Sequence, residues 1–286
     1  MLRLCRVTTA DGLHLDGAFQ PPDSPSLRRN VALVLIHGTG GNFYSAGILA
    51  TIAAQAVADG CDVLRINTRG HDLVATIPGN QSSVRGGAAY ERVGDAHLDV
   101  TAWCDWLAEQ GIEQAFVLGH SLGGVKALWS QALAAHPSVQ GVIGVSPPRF
   151  VHRRFQGDPR CDAFRRDFVL ATQHVAEGRA EFLMTVTQPL PLLITAGGYV
   201  DKYGPDDPLD YVPMLPQIRC PKLILVGSQS VETNPALESL PSDLEPLAAN
   251  DPQLTFELIP GADLNYRNDP AEPWRRIRGW IERRTT

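Results

Sequence analysis

The five residues Gly119-His120-Ser121-Leu122-Gly123 restrict this chain more than any other stretch. They stand between an apolar run, Ala115-Phe116-Val117-Leu118, and a helical pattern over residues 122–135. Glycines flanking a serine where a strand passes into a helix make a tight, strained turn. Such a turn lifts the hydroxyl above a sheet and points backbone N–H groups at an incoming carbonyl.

The rest of the chain repeats the same alternation. Val31-Ala32-Leu33-Val34-Leu35-Ile36 has no polar face and suits a strand buried on both sides. The glycine-rich turn His37-Gly38-Thr39-Gly40-Gly41-Asn42 follows, then a helical pattern over 44–59, a strand over 61–67 and the loop Thr68-Arg69-Gly70-His71-Asp72. Val93, Val100, Trp103, Trp106 and Leu107 recur at helical spacing over 91–109, and Gly111 closes that helix. Further strands are expected over 139–145, 223–226 and 254–259, with a loop and helix reaching 249 and a closing helix over 272–284. At the N-terminus, Ala10-Asp11-Gly12 between two alternating stretches marks a hairpin over 2–19, and 21–30 is a polar connection. Strands alternating with helices imply a mainly parallel sheet with helices on both faces. Residues 147–220 break the rhythm; this proline- and charge-rich stretch carries a helix over 161–178 and a loop over 197–205. An insertion of this length at the carboxyl end of a strand suits a lid over a substrate pocket.

Composition excludes several roles. A formal charge of −6 with no block of like charges argues against nucleic acid or an anionic membrane as partner. No apolar run approaches the ~20 residues that span a bilayer, and residues 1–10 lack a secretion signal, so a cytoplasmic protein, monomeric or homodimeric, is expected. Five scattered cysteines read as reduced thiols. No cofactor is implied, because Gly38, Gly40 and Gly41 lack the dinucleotide-binding spacing, and no histidine or carboxylate spacing suggests a metal.

His37-Gly38-Thr39-Gly40-Gly41, Arg69-Gly70-His71, Gly119-His120-Ser121-Leu122-Gly123-Gly124 and Pro260-Gly261-Ala262-Asp263 occur in an order that resembles the α/β-hydrolase superfamily over nearly the whole chain. That resemblance implies an eight-stranded, mostly parallel α/β sheet, with 1–146 and 221–286 as core and 147–220 as lid. It makes Ser121 the nucleophile and the amides of Leu122 and Thr39 the oxyanion donors. His37, Gly38, Gly40 and His120 fall in the motif loops beside the substrate.

The same resemblance exposes two departures. Ser230 stands where relatives carry the acid, leaving Glu232 as the candidate carboxylate; Ser146, at another position that some relatives use, is no acid either. Leu264 stands where they carry the catalytic histidine, and a leucine takes no proton. Substitute bases are then His152 and His174 in the lid, or Lys202, one of three lysines. His71, at a strand end, suits a loop hydrogen bond or a substrate contact better than a base, and Tyr199, Lys202 and Leu264 are expected to contact the substrate as well. Three readings stand at this point. One is serine-dependent hydrolysis or acyl transfer on an ester, thioester or amide of a medium-sized, partly apolar carbonyl compound. The second is a non-hydrolytic reaction (lyase, cyclase, isomerase or decarboxylase) that uses the oxyanion donors, and the third a binding protein without turnover.

Overall fold

The alternation of buried strands and amphipathic helices resolves, in a computed structural model describing residues 1–22 and 31–284, into one eight-stranded sheet. The strands are β1 (Arg3–Thr8), β2 (His14–Gln20), β3 (Val31–Ile36), β4 (Asp62–Ile66), β5 (Gln114–His120), β6 (Val139–Val145), β7 (Lys222–Gly227) and β8 (Leu254–Ile259). They lie in the order β1-β2-β4-β3-β5-β6-β7-β8. β2 pairs antiparallel with β1 and β4, and the remaining pairs are parallel. Most of the connection expected over 21–30 lies outside the described residues.

Successive side chains on each central strand feed opposite cores. Leu33, Leu35, Phe116, Leu118, Ile143 and Leu225 face α1 (Ile48–Ala58) and the C-terminal helix Glu272–Glu282. Val34, Ile36, Val117, Val142 and Ile224 face α2 (Ala96–Glu109) and α3 (Leu122–Leu133). Each fully buried aliphatic side chain contributes roughly 1.5–3 kcal/mol, so the two-sided pattern fixes register as well as topology. Among the described residues no helix is long and apolar enough to cross a membrane.

The segment between β6 and β7 holds α4 (His152–Gly157), α5 (Asp162–Ala176), a hairpin of Leu183–Val186 with Leu192–Thr195, and α6 (Ala196–Tyr203). Phe155, Phe164, Tyr199 and Tyr203 are buried together, with Tyr199 and Tyr203 rings 5.0 Å apart. Thr195 N–H donates to Ala89 O at 2.9 Å, and Arg149 pairs with Asp210 at 2.7 Å and with Asp243, joining the segment to the sheet side.

Several boundaries differ from the sequence expectation. Residues 197–205 are mostly helix rather than loop, because Thr195 Oγ accepts from Gly198 N–H at 3.1 Å and burial of two tyrosines outweighs two glycines. α1 begins four residues later than expected, after Gly47 at φ 124°. The run over 91–109 opens with a 3₁₀ turn, Val93–Asp95, before α2. After β7 the chain forms α7 (Ser228–Thr233) at once, then α8 (Leu240–Asn250).

Candidate active site

β5 ends at His120 and α3 begins at Leu122, which leaves Ser121 alone to make the turn. Its φ of 54° and ψ of −126° are unfavourable for any residue with a side chain. Its neighbours hold it there. A Cβ on Gly119 would lie 1.9 Å from Gly123 O, and one on Gly123 only 2.2 Å from Ile36 O, so both glycines let α3 touch the sheet backbone. Ser121 N–H donates to Val145 O at 2.9 Å, and its own carbonyl accepts from Gly124 N–H at 2.8 Å.

Ser121 opens onto a cleft of about 300 Å³, whose walls include His37, Thr39, Asn42, His120, Leu264 and, from the β6–β7 segment, Leu190. Among the described residues neither Leu122 N–H nor Thr39 N–H donates to a protein acceptor. Leu122 opens a helix, where unsatisfied N–H groups and the macrodipole favour an anionic oxygen. Gly38 also lines the cleft, whereas Gly40 turns at φ 64° beside Asp72 O.

The motif histidines are held by hydrogen bonds to the backbone, at both nitrogens in His37 and at Nε2 in His120. Thr68 N–H donates to His37 Nε2 at 3.2 Å, which leaves the ring hydrogen on Nδ1 to donate to Gly38 O at 2.8 Å. Burial, with the Lys126 ammonium adding to it, pushes the His37 pKa down to about 3. His120 Nε2–H donates to Leu264 O at 2.9 Å, and burial holds its pKa below the usual histidine value.

Leu264, Ser146 and Ser230, where the sequence resemblance implies a base or an acid, have these surroundings. Leu264 lines the same cleft as Ser121. Behind it, Tyr266 OH and Ser146 Oγ are 3.0 Å apart and buried, both residues at positive φ. Ser230 is buried with an Oγ that has no partner among the described residues. The loop carrying Ser230 lies against the loop carrying Leu264, since Gly261 N–H donates to Ser228 Oγ at 2.8 Å and Gln229 N–H to Ala262 O at 3.1 Å.

The other candidates fall outside this cleft. Glu232 is exposed on α7, because the early start of that helix turns it to solvent. Tyr199 is buried and donates to Gln188 O at 2.7 Å. Lys202 is buried with its ammonium over Phe150 and Tyr203. Burial, together with Lys126 and against the pull of Glu91, pushes Lys202 down to about 8. His152 Nδ1–H donates to Tyr203 O, and His174 stacks on Phe182. His71 pairs with Asp72 at 2.8 Å, and Asp72 is bonded to Asn42 on the cleft wall, so this pair sits behind the glycine-rich loop.

Sequence reasoning missed a buried polar group beneath that loop: Thr68, Glu91 and Lys126. Lys126 Nζ lies 2.6 Å from Glu91 Oε2 and donates to Thr68 Oγ1 at 2.9 Å. The available signal was a lysine in an otherwise apolar helix, Leu122-Gly123-Gly124-Val125-Lys126-Ala127-Leu128.

Residues 33–277 match the profile of the alpha/beta hydrolase family. The chain belongs to this α/β hydrolase family and is an enzyme of that fold. No curated protein sequence matches it. Among solved structures it is similar to an esterase of Pyrococcus furiosus, with 15% identity, a TM-score of 0.68 and coverage of 100% of this chain and 92% of that one. It is also similar to the alpha/beta hydrolase GrgF of Penicillium sp. sh18, with 16% identity, a TM-score of 0.71 and 99% of both chains. A third is Est1E of Butyrivibrio proteoclasticus with ferulic acid bound, with 14% identity, a TM-score of 0.68 and 98% and 99% coverage.

Proposed function

We propose that the protein catalyses serine-dependent hydrolysis or acyl transfer on an ester, thioester or amide of a medium-sized, partly apolar carbonyl compound. Residues 147–220 serve as the lid in this reading, with Leu190 at the edge of the cleft. The observation that carries it is Ser121, held at φ 54° on the cleft beside two N–H groups that lack acceptors. Ser121 Oγ forms a bond to the carbonyl carbon, and the carbonyl electron pair moves to oxygen. Leu122 and Thr39 N–H hold that oxygen, each such donor lowering the barrier by ~3 kcal/mol. Collapse expels the leaving group and leaves an acyl-serine, which water or another acceptor then cleaves.

His37 is not placed to take the serine proton, because Thr68 N–H occupies the lone pair of its Nε2. His120 gives its Nε2–H to Leu264 O and keeps the lone pair on Nδ1, but burial holds its pKa below the usual histidine value and makes it a weak base. Hydroxide or a basic group of the substrate accepts the proton. Good leaving groups are therefore favoured, and the rate rises with pH. A leucine at 264, lining the same cleft as Ser121, favours a second reading, in which the two N–H groups stabilise an enolate or alkoxide and no acyl-serine forms.

Turnover of p-nitrophenyl and thioester substrates by the native enzyme and Ser121→Ala, with fluorophosphonate labelling from pH 6 to 9, separates the two. Labelling and turnover that vanish in a folded Ser121→Ala support the serine mechanism. Turnover retained by that variant sinks it and leaves the enolate reading.

A further inference from the structure

Lys126 and Glu91 form an ion pair with almost no exposure, in a place where each buried ion costs several kcal/mol of desolvation. The pair leads to the catalytic loop through a continuous set of contacts. Lys126 Nζ donates to Thr68 Oγ1 at 2.9 Å. Thr68 N–H and Oγ1 each lie 3.2 Å from His37 Nε2. The threonine hydroxyl accepts from the ammonium on one of its two lone pairs and gives its hydrogen to Nε2, the acceptor nitrogen of the neutral ring. That nitrogen is thus an acceptor twice over, and Nδ1 keeps the hydrogen that it gives to Gly38 O at 2.8 Å. Gly41 N–H reaches the same oxygen at 3.1 Å.

A peptide unit is planar, with its C=O and N–H pointing in opposite directions. Gly38 O and Thr39 N–H belong to one such unit. Anchoring the oxygen against His37 and Gly41 turns the amide the other way, toward the cleft that Thr39 lines.

We propose that Lys126, through Thr68, is a positioning residue: it keeps His37 neutral with its hydrogen on Nδ1, and this ring aims the Thr39 amide. The inference rests on the reading of that amide as an oxyanion donor. The charged groups around His37 are Lys126 on α3 and, on the loop after β4, His71 and Asp72; Lys126 and His71 oppose its protonation and Asp72 favours it. Removing Lys126 loosens the hydroxyl and removes the larger of the opposing charges together.

The test uses ring nuclear magnetic resonance of ¹⁵N-histidine enzyme and the pH profile of ester turnover. The proteins compared are native, Lys126→Met, the paired Glu91→Gln/Lys126→Met, Thr68→Val and Thr68→Ser. The paired variant removes both buried charges, so a fold lost to an unpaired Glu91 does not decide the matter. In Lys126→Met and the paired variant the His37 titration midpoint rises by about one unit or more, and the acid limb of kcat moves with it while KM stays within about twofold. Thr68→Val lowers kcat about tenfold and weakens the Nδ1–H signature, and Thr68→Ser restores both. A native His37 titration in folded variants overturns the proposal. So does a shifted titration with an unmoved kcat profile. If turnover survives Ser121→Ala, the reading of the site fails instead, and the ring titration alone decides the relay.

Discussion

Gly123→Ala tests whether backbone contact between α3 and the sheet holds Ser121, the proposed nucleophile. The new methyl carbon would lie 2.2 Å from Ile36 O and 2.5 Å from His37 O, about 1 Å inside the closest approach that a carbon tolerates. β3 cannot retreat, because Ile36 is paired with Ile66 on one side and Gly119 on the other. The helix must lift instead, dragging fully buried Leu122, Val125 and Leu128 out of register. Overpacking of this kind costs about 1–3 kcal/mol, and two backbone oxygens place this case at the upper end. At roughly 2–4 °C per kcal/mol for a chain of this size, Tm falls by about 4–12 °C. Ser121 lies two residues before Gly123 and moves with the helix, and a shift of ~1 Å at a reacting atom lowers kcat by ~100-fold. Differential scanning calorimetry and p-nitrophenyl ester turnover read the two effects. Gly157→Ala, where a Cβ meets nothing within 4 Å, is the control. A Gly123→Ala enzyme with native Tm and native kcat refutes the argument that this contact builds the elbow.

Three further outcomes are expected. Leu264→His with Ser230→Asp raises ester turnover by ~100-fold or more, since the two loops are in contact and position 264 lines the same cleft as Ser121; a folded double variant no faster than native shows that the side chains do not converge. Arg69→Met strips the wholly buried Asp99 of a partner held at 2.8 Å and costs about 3–5 kcal/mol in urea unfolding, whereas adding Asp99→Asn recovers most of that loss. His37 titrates near 6.5 when unfolded and at about 3 when folded, so unfolding takes up a proton between those values. Stability attributable to His37 is complete above pH 6.5 and falls as pH drops toward 3, by about 1.4 kcal/mol per unit; His37→Gln flattens the measured slope by one proton, and an unchanged slope contradicts the assignment.

The central strands were legible because burial on both faces leaves one composition to choose from: Val31–Ile36 and Val139–Val145 have the ends that their apolar runs suggest. Residues 196–203 were not, because Gly197 and Gly198 signal a loop locally while Tyr199 and Tyr203 are buried by partners such as Phe164, far away in sequence. The short hairpin Ala75–Ile77 with Val84–Gly86 carries too few residues for any periodicity. At the cleft, motif spacing was enough to point to Ser121 and Leu264, whose positions depend on neighbours in sequence. The direction of Glu232 was not legible, because it depends on how the chain leaves β7, and there the helix begins with Ser228 and carries Glu232 to solvent. Glu91, Thr68 and Lys126 meet from three separate elements, and no local pattern announces such a meeting.

The bond from His120 to Leu264 O has a consequence for substitution. It grips the main chain at position 264 and ignores the side chain. Exchange of the leucine at 264 is therefore expected to leave this bond in place, so the chemistry offered at that position can change without unmaking the loop that carries it.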